Sequence, residues 1–236
     1  MQTQVDFISG MRKLLSHHNI ISISGESGTG KTTLALQLAG SFLTYEAPYE
    51  DSCIWVQASE PFSLTRLRQI FQDQKSKLEY IQNNIFVIPH NSPINTYEQQ
   101  ISLFQKIIHP EFNVPPLLKY IVIDNISHHL RYKLIQYNNP KDLSSLLDGF
   151  YEVVLMPLIL FCKHYDIVLI LIHEVTFSPK DECNRPFFYK LYDRIKTIDI
   201  ELSNNYNDDK KSLLLSYEES VWNFQYILGN GGMLII

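Results

Sequence analysis

Gly25-Glu26-Ser27-Gly28-Thr29-Gly30-Lys31-Thr32 stands between the apolar run Ile20–Ser24 and a helix-like run rich in Leu and Ala. The octet satisfies GxxxxGK[ST] in full, and it sits where that pattern works, after a strand and at the opening of a helix. Gly25, Gly28 and Gly30 let the backbone curl so that its N–H groups face phosphate oxygens, and the positive end of the helix dipole adds attraction. Glu26, Ser27, Thr29 and Thr33 complete the phosphate-binding stretch. Lys31 is placed to neutralise the β and γ phosphates of ATP. Thr32 offers its hydroxyl to Mg²⁺, an ion that needs only one or two protein oxygens because it keeps most of its waters.

Working outward, apolar runs alternate with helical patterns. Ser52–Ser59 is followed by the helical stretch Leu64–Ile81, and Asn84–His90 by the helix Tyr97–Ile108. Lys119–Asn125 is followed by a long apolar helix, Leu143–Tyr165, and then by the strand Ile167–His173. Pro157 is expected to kink or loosen that helix, having no N–H to donate. The alternation predicts an α/β fold with a mostly parallel central sheet flanked by helices. After Leu191 the texture changes. Arg194–Leu202, Lys211–Tyr217 and Trp222–Leu228, separated by Asn204–Lys211 and by Gly229–Gly232, read as antiparallel C-terminal strands joined by tight turns. One domain over residues 1–236 is expected.

Strand ends supply the remaining chemistry. Asp124 ends Tyr120-Ile121-Val122-Ile123, so its carboxylate emerges at the carboxyl edge of a buried strand, where open α/β sheets bind ligands. Its task there is to hold the metal shell with Thr32, the other reading being a cap on the next turn. Hydrolysis needs a group that orients or deprotonates the attacking water. Glu60, beyond the strand that starts at Ser52, is the candidate base. The alternative is a glutamate favoured by the dipole of the following helix.

Composition sets bounds. The 236 residues are 45% hydrophobic and 19% charged, with a formal net charge of −5, which excludes a protein coated in basic residues. Cys53, Cys162 and Cys183 are too scattered for a disulfide framework, so a reducing compartment is expected. No signal peptide is apparent, and no uncharged apolar stretch approaches a membrane span, so a cytoplasmic or nucleoid-associated protein without membrane contact is expected. The doublets His17-His18 and His128-His129 do not make metal-ligand pairs if each lies on a strand.

Taken together, the residues resemble the RecA/RadA recombinase superfamily, most closely its small archaeal RadB-type paralogues, over nearly the whole chain. Beyond the phosphate loop, Glu60-Pro-Phe-Ser-Leu-Thr-Arg-Leu resembles the segment in which the family's catalytic Glu precedes a helix carrying Arg-Leu. Tyr97-Glu-Gln-Gln resembles its Glu-Gln helix start, Asp124 with Arg131 its strand acid and downstream Arg, and Lys163-His-Tyr-Asp-Ile-Val the corner before its sensor residue. The resemblance implies a RecA-like P-loop ATPase core with ATP and Mg²⁺ as cofactors. It also implies slow hydrolysis, a role in homologous recombination and repair, and association with single-stranded DNA, with a main recombinase or paralogue subunit, or in an oligomer. By position alone, Phe7 could serve in oligomer contacts, a core contact being the other reading. A second class, nucleotide-gated assembly ATPases that resemble the KaiC group and do not bind DNA, has a similar loop and strand order.

Two departures stand out. Where the family has Asn-Gln-Val, this sequence has His173-Glu174-Val175, and an anionic Glu174 facing nucleotide would repel phosphate unless protonated or bridged by water. The downstream segment reads Arg185-Pro-Phe-Phe in place of the family's Gly-Gly. Two loops are expected at the carboxyl edge, 131–141 and 176–194, mixing cations with aromatics as single-strand binders do. The first carries Arg131, Lys133 and Lys141; the second carries Lys180, Arg185, Phe187, Phe188, Lys190 and Arg194.

Overall fold

The computed structural model describes residues 2–44, 50–109, 111–178, 183–205 and 210–236. Six strands run parallel at its centre: β1 (Ile20–Gly25), β2 (Ser52–Gln57), β3 (Ile85–Ile88), β4 (Leu118–Asp124), β5 (Val168–His173) and β8 (Ile198–Ser203). Three antiparallel strands, β9 (Lys211–Tyr217), β10 (Ser220–Gly229) and β11 (Gly232–Ile235), continue the sheet beyond β8. The order is β11-β10-β9-β8-β1-β5-β4-β2-β3, with a separate hairpin of β6 (Val175–Ser178) and β7 (Cys183–Pro186).

The expected fold class is what forms, with one correction. The run 194–202, expected among the antiparallel strands, forms β8, which lies parallel beside β1 and closes the parallel block. Alternation reports which side chains are buried and is blind to the direction of the neighbouring strand.

Pleating divides the core. On one face Ile21, Ile23, Ile170, Ile172, Ile198 and Ile200 pack under α2 (Lys31–Phe42) and α1 (Gln2–Leu15). On the other, Ile121, Ile123, Leu169 and Leu171 pack under α5 (Tyr97–Ile107) and the long helix, which supplies Phe150, Val154 and Leu158. Each such side chain contributes about 1.5–3 kcal/mol on burial. Phe7 is 4% exposed and meets Phe224 edge-on at 5.6 Å, which makes it a core residue of α1.

The long helix consists of α7 (Pro140–Phe150), a π-helical turn at Tyr151–Leu155 and α8 (Met156–His164). The loosening expected at Pro157 takes the form of that wider turn just before it, where a missing N–H frees a carbonyl. This helix, 25 residues from Pro140 to His164, matches a membrane span in length and mean hydropathy alone, as the core helix of a globular domain also does, and it contains no uncharged run of that length. Asp148 and Glu152 break the run without lowering its mean hydropathy much, and its inner side is what covers the sheet. The stretch 64–81 is not one helix either. It divides into α3 (Leu64–Ile70) and α4 (Lys75–Asn84), with the buried Phe71 ring against Gly40 of α2 at the junction.

Candidate nucleotide site

The carboxyl ends of β1, β2, β4 and β5 surround a cleft of about 510 Å³. Its floor is the loop from β1 to α2. Gly30 caps α2 at φ 94°, a left-handed conformation, and a Cβ there would collide with Leu228 of β10. Lys31 Nζ folds over the loop and donates to the carbonyls of Gly25 and Glu26, each at 2.8 Å. Burial lowers its pKa, while the charges of Asp124, Glu174, Glu60 and Glu26 oppose that shift.

The loop is held from behind. Thr29, wholly buried, donates its hydroxyl to the Glu26 carbonyl at 2.8 Å, and its own carbonyl accepts from Tyr226 Oη at 2.7 Å. Asn184 of β7 and Asn204 beyond β8 both donate to the Glu26 carboxylate, at 2.8 and 3.1 Å. Thr33 accepts from Arg66 Nε at 3.1 Å, and Arg66 also reaches the carbonyl of Asn230. Thr29 and Thr33 thus spend their hydroxyls inside the protein. Ser27 and Gly28 are exposed at the rim.

Across the cleft, Thr32 Oγ1 donates to Asp124 Oδ2 at 2.8 Å. Burial pushes the Asp124 pKa up to about 6; the Thr32 bond and Lys31 pull it down, and the negative charge of Glu60 adds to the rise. The Asp124 carbonyl accepts from the backbone N–H groups of Ala58 and Ser59, at 2.7 and 3.1 Å, which fixes the segment leading to Glu60. Glu60 itself is exposed and lines the cleft.

Glu174 also lines it, in an arrangement the sequence did not reveal. Arg131 Nη1 donates to one carboxylate oxygen at 2.6 Å; Asn125 Nδ2 donates to the other at 3.1 Å, with His128 Nδ1 at 3.3 Å. Burial raises the Glu174 pKa, but these hydrogen bonds outweigh it, so the net shift is downward and the group stays ionised. Its charge is met by Arg131, neither protonated nor left facing phosphate alone. Next to it His173 is fully buried, and burial drops its pKa to about 3.

The two segments expected to be cationic loops differ in form. Residues 128–134 are the helix α6 (His128–Leu134), and 175–192 are the β6–β7 hairpin followed by the short α9 (Tyr189–Tyr192), with Lys180 outside the described residues. Arg131 belongs to the nucleotide cleft, and Lys133 pairs with Glu98 at 2.6 Å. Arg185 lies over the Tyr189 ring, and Arg194 meets Asp148 at 3.5 Å. Phe187 sits under the Arg131 guanidinium and edge-on to half-buried Phe188. Lys141 and Lys190 are exposed. His128 and His129 share a helix, not a strand, and serve different partners, Glu174 and the Ala58 carbonyl. Among the described residues no group of three or more His, Cys, Asp or Glu could hold a metal. A magnesium ion bound with nucleotide requires less, and the Thr32–Asp124 pair, a buried carboxylate beside a hydroxyl, fits it.

A pH dependence follows. The pKa of Asp124, about 6, lies above that of a free Asp, so its ionisation opposes folding at neutral pH, and this cost shrinks as pH falls through about 6 and is gone below about 4. Metal binding needs the ionised form. One unit below that pKa, proton competition should weaken the Mg²⁺-dependent part of nucleotide affinity about tenfold, and Asp124→Asn should remove that dependence along with the metal effect. Magnesium titrations at pH 5 and 7.5, followed by a fluorescent ATP analogue, measure both.

Comparison with known proteins agrees with this geometry. Over an alignment of 181 positions that covers 74% of the chain, it is 28% identical to the DNA repair protein RAD57 of Saccharomyces cerevisiae, of which it spans 37%. The AAA domain family matches residues 12–171, a range that takes in the phosphate loop, Glu60 and Asp124. With that match covering more than half its length, and with a RecA-like arrangement of sheet and loop, the chain belongs to the AAA domain family of P-loop ATPases.

Proposed function

We propose that the protein is a slow ATP-hydrolysing accessory factor of homologous recombination and DNA repair that binds single-stranded DNA, a main recombinase, or both. The observation that carries the ATPase part is the meeting of Lys31, Thr32, Asp124 and Glu60 in one cleft at the carboxyl edge of the parallel strands. The recombination part is supported by the likeness to RAD57, a DNA repair protein.

In this reading the loop N–H groups and Lys31 bind the phosphates, Lys31 exchanging the carbonyls of Gly25 and Glu26 for phosphate oxygens. Thr32 Oγ1 and the Asp124 carboxylate would hold Mg²⁺, which when bound supplies charge neutralisation along the phosphates. The Glu60 carboxylate accepts a proton from the attacking water. Arg131 neutralises Glu174, so that position can lie beside a nucleotide without net repulsion. Slow turnover is consistent with a base on an exposed segment that does not shut out water.

DNA binding is tested at Lys141 and Lys190, the exposed cations of the two segments. Replacing both by Ala should weaken binding of a dT30 oligonucleotide about tenfold and reduce the salt slope by about 1.4, the value for two lost phosphate contacts on a single strand. Anisotropy titrations across a salt series give both numbers. No binding of dT30 at low salt, with ATP binding intact, would favour the KaiC-like assembly reading.

A further inference from the structure

A cleft of about 1070 Å³ lies on the sheet face opposite α1 and α2. After β5 the chain does not lay a long helix over this face. It makes the β6–β7 hairpin and the four-residue α9, so the floor under β1, β8 and β9 stays open. That floor is polar, and its register is set by the pleat. Ser22 pairs with Asp199, which pairs with Ser216; His173 pairs with Ser24, which pairs with Glu201. Ile198, Ile200 and Leu202, the alternate residues of β8, point into the core.

Two buried groups at this floor have unused hydrogen-bonding atoms. Tyr192, 7% exposed, lines the cleft, and its hydroxyl has no partner among the described residues. Beneath it, 4.3 Å from ring to ring, stands His173, fully buried with neither ring nitrogen paired. Buried polar atoms without partners are uncommon, because each costs about 1–3 kcal/mol of desolvation. Here they lie beside a carboxylate-bearing cleft.

We propose that this cleft receives an extended basic segment of a partner protein, with cationic side chains at alternate positions reaching Asp199 and Glu201. Alternate residues on an extended chain lie about 6.5–7 Å apart on one face, the same spacing that separates these two acids along β8. The rim acids Asp193, Glu218 and Glu219 extend the negative field, while Arg185 beside Glu201 and Lys196, which pairs with Glu218, offset part of it. Carboxylates on the floor repel phosphate, so a nucleic-acid strand is the wrong occupant. The proposal goes beyond the nucleotide reading and does not depend on it.

The test is anisotropy titration of the full chain with a fluorescein-labelled Arg-Ser octapeptide in which the two residues alternate. Affinity should fall at least tenfold in Asp199→Asn and Glu201→Gln, and about threefold in Tyr192→Phe, which removes only an oxygen unpaired in the protein. A control pair on remote exposed acids, Glu79→Gln with Glu111→Gln, should leave it unchanged. A peptide with the four Arg in one block should bind at least fivefold more weakly. ATP binding is measured on every variant, and its retention shows the fold intact and separates failure here from failure at the nucleotide site. The proposal is overturned if wild type does not bind the alternating peptide, or if Glu201→Gln and Tyr192→Phe both bind like wild type. Equal loss in the control pair overturns it too, as does displacement by spermine at equal charge or by dT30 acting through the same two acids.

Discussion

Lys31→Ala is expected to raise the dissociation constant for ATP at least about a hundredfold. Charge-assisted hydrogen bonds contribute about 1.5–3 kcal/mol each, and a lysine bridging two phosphates makes more than one. A factor of ten corresponds to about 1.4 kcal/mol. The ammonium in this structure donates to the carbonyls of Gly25 and Glu26, so its removal takes one donor from each, the Glu26 carbonyl keeping the Thr29 hydroxyl. They can turn to water at the open cleft, and the effect on folding should be small beside the loss of affinity. Isothermal calorimetry gives the affinity, and circular dichroism checks the fold. Unchanged ATP affinity in a folded variant would remove the phosphate-site assignment.

Glu60→Gln should lower turnover about 10²–10⁴-fold, the range for loss of a general base, while ATP stays bound. Affinity should hold or improve slightly, since the Glu60 charge raises the pKa of Asp124 and opposes its ionisation. Single-turnover phosphate release separates the two effects. Parent-like turnover would exclude Glu60 as the base. Glu174 would then be a poor substitute, because Arg131, Asn125 and His128 already hold its carboxylate and lower its basicity.

What could be read from the residues follows from how locally each feature is encoded. The phosphate loop is eight consecutive residues marked by their own glycines, and Asp124 is marked by its position at the end of an apolar run. The partner of Glu174 was hidden. Arg131 is 43 positions away on a different element, and nothing in either neighbourhood distinguishes an ion pair from two solvated charges. The direction of β8 was hidden likewise, since it depends on where the chain crosses after β5. The helical break after Ile70 was hidden too, since the contact of the Phe71 ring with Gly40 at that junction joins residues 31 positions apart. Cations and aromatics cluster in sequence at 131–141 and 176–194, and folding gives Arg131, Lys133 and Arg194 acidic partners that composition does not show.

The brace behind the phosphate loop bears on when the protein can bind nucleotide during its synthesis. Tyr226, which holds the Thr29 carbonyl, is 197 positions downstream of it, and Gln37 of α2 exchanges two hydrogen bonds with Met233, 196 positions on. At about 5–20 residues per second, a ribosome needs on the order of ten to forty seconds to make that span. Until β10 and β11 have emerged, the loop lacks Leu228 against Gly30 and the hydroxyl that orients Thr29. ATP therefore cannot chaperone the growing chain from its early-made motif; it reaches a site that only the finished sheet completes.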